Sequence, residues 1–197
     1  MFYSAHERFD RDDGDRWVDY LRWLGRGDLR RVVTLDGMLC PPVVTIEDED
    51  AWDFAVQEDF MLDFFTDLPF VLEHAARFPR AMVLASIRNP SAEQVTDFTH
   101  PEFDFAGFDL LDIQCCASPL LDCGGYPEIF LPEELSPGTG LLRDLARANE
   151  IRDRLYRLEP YDFHADCNVW AIWVYAGSTP PVARDNGTGV VDPSTST

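Results

Sequence analysis

TGLLRDLARANEIRDRLYRLEPYDFHADCNVWAIWVY, residues 139–175, is the stretch whose pattern decides the fold class. Leu141, Leu145, Ala148, Ile151, Leu155 and Leu158 recur at helical spacing, which lines one side of a 3.6-residue helix with apolar groups. The other side carries Arg143, Asp144, Arg147, Glu150, Arg152, Asp153, Arg154 and Arg157, a solvated face. Glu150 to Arg154 and Asp153 to Arg157 stand there in the acid-first i,i+4 order that supports an isolated helix. Ser136-Pro137 or Thr139 supplies the cap, and Glu159-Pro160 ends the run because the residue before a proline avoids helical angles. The spacing predicts a helix of roughly 20 residues, about 30 Å long.

The loop from Glu159 to Asp166 then delivers His164 and Cys167 to the entrance of a strand. In that strand Cys167, Val169, Ala171, Trp173 and Tyr175 alternate with Asn168, Trp170, Ile172 and Val174, so both faces are largely apolar. This is the pattern of a strand inside a sheet and covered on both sides. Trp170 and Trp173 differ by an odd number of positions and fall on opposite faces.

Working outward, a short helix is expected from Asp15 to Leu24, stopped by Gly25, after a polar lead-in at residues 1–14. The acids Asp10, Asp12, Asp13 and Asp15 around Gly14 are out of register for a calcium loop and read as an acidic helix entry. Asp36-Gly37 between Val32–Leu35 and Met38–Cys40 predicts a type I′ hairpin, with Pro41-Pro42 bending its second strand or setting it at a sheet edge. Cys40 reads as a small buried hydrophobe. An acidic, aromatic helix is expected from Glu47 to Phe65, with Trp52, Val56, Phe60 and Phe64 at i,i+4, followed by a shorter helix from Pro69 to Phe78. Ala81–Ile87 and Phe108–Ile113 read as strands, and residues 91–107 as an irregular loop pinned by phenylalanines.

The resulting order, α-β-β-α-α-β-β-α-β, predicts an α+β fold in a single domain over residues 1–176. It contains about four helices and a mixed or mainly antiparallel sheet of about five strands. A disordered tail is expected at 177–197, rich in Gly, Pro, Ser and Thr.

Composition narrows the function classes. The chain has 197 residues and 46% hydrophobic content, with 36 acids against 16 bases for a net charge of −20, and every one of those bases is arginine. Nucleic acid and anionic membrane are excluded as direct ligands, because phosphate binding requires a basic footprint. No apolar stretch is long enough for a membrane span and the N-terminus has no signal core, so a cytoplasmic protein is expected. Five cysteines without a secretory signal predict free thiols rather than a disulfide framework, and Asn186-Gly187-Thr188 then reads as an accidental glycosylation match.

Three constellations carry candidate chemistry. Cys115 or Cys116, Cys123, His164 and Cys167 are zinc-ligand types, and His164 and Cys167 have ligand-pair spacing, although the other cysteines do not. Such a zinc-stabilised domain competes with separate, packed thiols, which is the plainer expectation. A cysteine-dependent hydrolase would use Cys123 as nucleophile, His164 as base, and Asp166 or Asn168 to orient the imidazole. That chain order resembles papain-like hydrolases, but Gly124-Gly125-Tyr126-Pro127 continues Cys123 as a turn, not the helix whose dipole would activate the thiol.

The third constellation is electrostatic. Between Arg31 and Arg77 lie 11 acids, between Arg88 and Arg143 lie 10, and neither segment contains an arginine or lysine. On the helix expected there, Asp53, Asp59 and Asp63, with Asp67, form an acidic face. Solubility or salt adaptation would produce such a face, and so would recognition of a basic protein partner, as in inhibitors and immunity proteins. A non-enzymatic acidic interaction domain is the leading expectation, and exposed aromatics among the acids would distinguish it from plain solubility.

Overall fold

The computed structural model describes residues 1–10, 18–23, 25, 27, 29, 31–47, 53–56, 63–112, 117–121, 129–158 and 163–177. Its centre is a four-stranded antiparallel sheet of order β1-β4-β6-β5, built from β1 (Phe2–Glu7), β4 (Ala81–Arg88), β6 (Cys167–Tyr175) and β5 (Phe103–Asp112). A small ribbon pairs β2 (Phe9–Asp10) with β3 (Arg31–Val32). The helices are α1 (Val18–Trp23), α2 (Leu68–Ala75), α3 (Ala92–Asp97) and α4 (Leu145–Leu158). The architecture is the expected α+β class with a mainly antiparallel sheet. No helix among the described residues is long and apolar enough to cross a membrane.

β6 is interior, as its two apolar faces require, and its tryptophans diverge as predicted. Trp170 stacks on Phe64 with ring centroids 5.0 Å apart, while Trp173 meets Phe98 edge-on at 4.7 Å. The main core spans the sheet, the 29–40 segment and the buried stripe Ala148, Ile151 and Leu155 of α4. A smaller cluster joins Phe70, Val71 and Ala75 of α2 to Ala5, Val83 and Phe65.

α4 starts six residues later than expected. Its first turn is capped by Asp144, whose Oδ1 accepts from Arg147 N at 2.7 Å, while residues 139–143 go elsewhere. Leu141 and Leu142 are both fully buried, on non-helical chain ahead of the helix. Leu142 instead exchanges both backbone hydrogen bonds with Phe108 (2.8 and 3.0 Å) and covers the outer edge of β5. Gly107 permits this approach: its φ is +140°, and a Cβ there would lie 2.6 Å from the Leu142 carbonyl oxygen. The helix's charges also pair differently, with Arg147 on Glu134 and Glu150, and Arg152 on Asp153.

Further expectations are corrected. β1 lies in the supposed polar lead-in, where Ser4 and His6 are buried and satisfy each other, His6 Nε2 to Ser4 Oγ at 3.0 Å. That pairing hides the apolar alternation expected of a strand. Asp36-Gly37 does not close a hairpin, because the Asp36 carboxylate takes the amides of Met38 and Leu39 in a local turn. Pro41 and Pro42 do reach a sheet edge, that of β1, where Pro41 O accepts from Glu7 N at 2.7 Å. Asp53 belongs to a 3-10 turn, and residues 54–56 and 64–66 are not helical but run antiparallel, with Val56 N to Phe64 O at 2.8 Å and Thr66 N to Phe54 O at 2.9 Å. The interval 91–107 contains α3, closed by a Ser91–Gln94 capping box, and the beginning of β5. The expected helices at α1, stopped by Gly25 (φ +77°), and at α2 are present with shifted ends. The acidic entry at Asp12, Asp13 and Asp15 lies outside the described residues, as does the expected tail beyond Gly177.

Candidate functional site

The corner expected to hold reactive side chains sits where β6 begins. A 3-10 turn over Phe163–Ala165 places His164, fully buried, with Nδ1 3.8 Å from Asp112 Oδ2 at the end of β5. Cys167 is the register partner of Asp112, so imidazole, carboxylate and thiol share the end of the sheet. Burial pushes the Cys167 thiol up to about 12, which favours its protonated form near neutral pH. Asp166 is exposed, whereas His164 is fully buried. Asp112, which the pattern had not singled out, makes the close approach to His164 instead. Cys115, Cys116 and Cys123 lie outside the described residues, and among those described no three His, Cys, Asp or Glu side chains are grouped to hold a metal.

The most elaborate polar arrangement is one that the sequence pattern did not reveal. Asp109, on the apolar strand β5 and with no solvent exposure, accepts from Thr34 Oγ1 (2.6 Å), Ser118 Oγ (2.7 Å) and Leu110 N (2.9 Å). Asp36 accepts from Ser118 N at 2.9 Å as well as from its own turn. Burial pushes the Asp109 carboxyl up to about 6, opposed by the Thr34 and Ser118 hydrogen bonds and assisted by the charge on Asp36. These carboxylates are acceptors for loops 33–36 and 117–121, which run through the interior without ladder partners. The aspartates Asp109 and Asp112, set among apolar residues in FDLLD at 108–112, were the available signal.

A different surface lies toward the other end of β6. Phe98, His100, Phe103 and Phe105 gather over Trp173 and Tyr175, with neighbouring ring centroids 4.7 to 6.3 Å apart. Phe105 is 45% exposed, and Phe98 and His100 are half-buried. Glu93, Asp97, Glu102 and Asp104, interspersed in the same stretch of chain, are all exposed. Of the acids expected to line a helix face, Asp53 is exposed and Asp63 accepts from Ile46 N at 3.1 Å, so the two share no helical stripe. Asp59 lies outside the described residues.

Beside the start of β6 there is also a cleft of about 580 Å³ between α4 and the turn after β4, bordered by Asn89, Arg152, Tyr156, Arg157 and Asp166. Its charged groups have both signs, in a chain whose net charge is strongly negative. Compared with protein-family models, with curated proteins and with solved structures, the chain matches none.

Proposed function

We propose that this is a non-enzymatic acidic interaction domain that takes a basic protein partner, in the manner of an inhibitor or immunity protein. The observation that carries this proposal is the aromatic face around Phe98, His100 and Phe105, set in a stretch that has 10 acids and no arginine or lysine between Arg88 and Arg143. Charge accelerates encounter and discriminates among partners, whereas a desolvated aromatic centre supplies most of the affinity. Plain solubility needs the acids but not the half-open aromatics at their centre. The test is capture of basic proteins from an extract on the immobilised chain. Retention is expected at ~50 mM salt and loss at ~500 mM, since the screening length shrinks from about 10 Å at 0.1 M toward about 3 Å at 1 M. Phe105→Ala should weaken retention at ~50 mM salt and lower the salt concentration at which the partner is released, and failure of the wild type to hold any basic protein at low salt overturns the proposal.

A second proposal, a zinc-stabilised domain or thiol hydrolase centred on Cys123, His164 and Cys167, is favoured by one feature. Asp112 N donates to Ala117 O at 3.2 Å and Asp112 Oδ2 accepts from Ala117 N at 2.8 Å. Asp112 and Ala117, which flank Cys115 and Cys116 in the chain, are thus bonded to each other, and Asp112 lies beside His164 and opposite Cys167. Elemental analysis of purified protein tests it: about one zinc per chain, with melting lowered by chelator, supports it, and a trace of zinc with unchanged melting removes it.

A further inference from the structure

We propose that the cleft at the start of β6 binds a small zwitterion, an α-amino acid with a large apolar side chain. The argument begins with the charges along its wall. Arg152 turns both Nε (3.0 Å) and Nη2 (2.9 Å) onto Asp153 Oδ1, so that pair is neutral by itself. Arg157 donates Nε to the Asp153 carbonyl oxygen at 3.0 Å, which fixes the plane of its guanidinium and leaves its two terminal nitrogens without an acceptor among the described residues. Asp166, exposed and lining the same cleft, makes no ion pair among the described residues, with Arg157 or with any other base. One cation and one anion thus line the same concavity without neutralising each other.

A ligand carrying its own carboxylate and ammonium completes both. The guanidinium edge of Arg157 presents parallel N–H donors to a carboxylate, and Asp166 accepts from an ammonium. A purely anionic ligand would leave Asp166 facing it, and a purely cationic one would meet Arg157. The remaining lining suits an apolar side chain: Tyr156 is 64% exposed at the rim, and Ala165 and Cys167 form the floor. Asn89 stiffens the wall. It is held at φ +45°, its amide nitrogen donating to Asn168 Oδ1 (2.6 Å) and its amide oxygen accepting from Val169 N (3.0 Å), so this part of the wall is fixed to β6. A cleft of 580 Å³ is within the size range of small-molecule sites. This site is separate from the aromatic face; it shares Cys167 with the zinc or thiol proposal but needs no metal or reactive thiol there.

The test is calorimetric titration of the full chain at neutral pH with L-phenylalanine, with N-acetyl-L-phenylalanine, which lacks the ammonium, and with L-phenylalaninamide, which lacks the carboxylate. L-phenylalanine is expected to bind saturably, at least ~10-fold more tightly than either analogue. Arg157→Gln should erase the preference over the amide, and Asp166→Asn the preference over the N-acetyl compound; both side chains are exposed and outside the core, and circular dichroism verifies that the variants fold. The proposal is overturned if no probe saturates up to ~20 mM, far weaker than the millimolar affinity expected of so small a site. It is equally overturned if N-acetyl-L-phenylalanine binds the wild type as well as L-phenylalanine does, or if Arg157→Gln leaves the affinity unchanged.

Discussion

The two halves of β5 are built from similar residues and do opposite work. Beyond Gly107, Asp109 and Asp112 are buried and serve as acceptors for interior loops and as a neighbour for His164. Before it, Asp104 and Phe105 are exposed, and Phe105 belongs to the aromatic face. The irregularity between Phe105 and Gly107 separates the halves, and the 141–142 segment covers β5 next to it. The net charge of −20 is therefore not one property: part of it is internal scaffolding, and part is available to a partner.

Asp109→Ala attacks the buried half and should have the largest effect, about 3 kcal/mol of stability by urea denaturation. The Thr34 and Ser118 hydroxyls and the Leu110 amide lose their acceptor in an apolar interior, at about 1 to 3 kcal/mol per unsatisfied group, partly offset by relief of the buried charge. A loss below about 0.5 kcal/mol, the range of an ordinary surface change, would show that the network is not structural. Gly107→Ala attacks the division itself and should cost about 2 kcal/mol, since the new Cβ would meet backbone as well as adopt an unfavourable φ. An unchanged melting temperature would refute the tight edge contact.

The buried half should also respond to pH in a way that the exposed half does not. Asp109 has a folded-state pKa raised from 3.8 to about 6, so its contribution is present below the lower value and is lost as pH rises through the higher one. His6, whose pKa burial lowers from 6.5 to about 4 despite its hydrogen bond with Cys40 O, acts oppositely: stability is lost as pH falls through that window. Each amounts to about 3 kcal/mol at 1.36 kcal/mol per pKa unit, and the two nearly cancel between about pH 4 and 6. His6→Gln should therefore expose a slope in which stability falls as pH rises, and Asp109→Asn the reverse slope. Urea midpoints at pH 4.5 and pH 7 that move in parallel for both variants would contradict the assignment.

The smallest effects belong to the exposed half. Phe105→Ala should cost less than about 1 kcal/mol, because nearly half of its surface is already in water. Glu102→Gln should shift stability by no more than about 0.5 kcal/mol, since the carboxylate's contact is the Tyr175 hydroxyl at the surface. A larger loss in either variant would make the aromatic face part of the core rather than a surface for a partner.

Much of this organisation was legible before any coordinates. The alternation of Cys167–Tyr175 placed β6 inside the sheet because period two with two apolar faces has no other stable location. The stripe Ala148, Ile151 and Leu155 marked α4 for a comparable reason. What misled was local pattern that tertiary pairing overrode. Leu141 fitted the helical count, yet Leu142 was needed at the edge of β5, and Asp144 offered a better cap than Thr139. Phe60 and Phe64 fitted a helix as well, but Phe64 and Phe65 lie on extended chain bonded to Val56 and Tyr3, and their rings enter different clusters, Phe64 against Trp170 and Phe65 against Phe70. Ser4 and His6 concealed a strand because each is the other's partner.

Fold class, the interior strand and the uneven distribution of charge were set by the sequence itself, because periodicity and composition act through neighbours a few residues apart. Which acids are buried, which aromatics remain open and which charges share a cleft was decided only by tertiary structure. Thr34 and Asp109, or Asn89 and Asn168, are 75 and 79 residues apart along the chain, and no local pattern can state that their side chains meet.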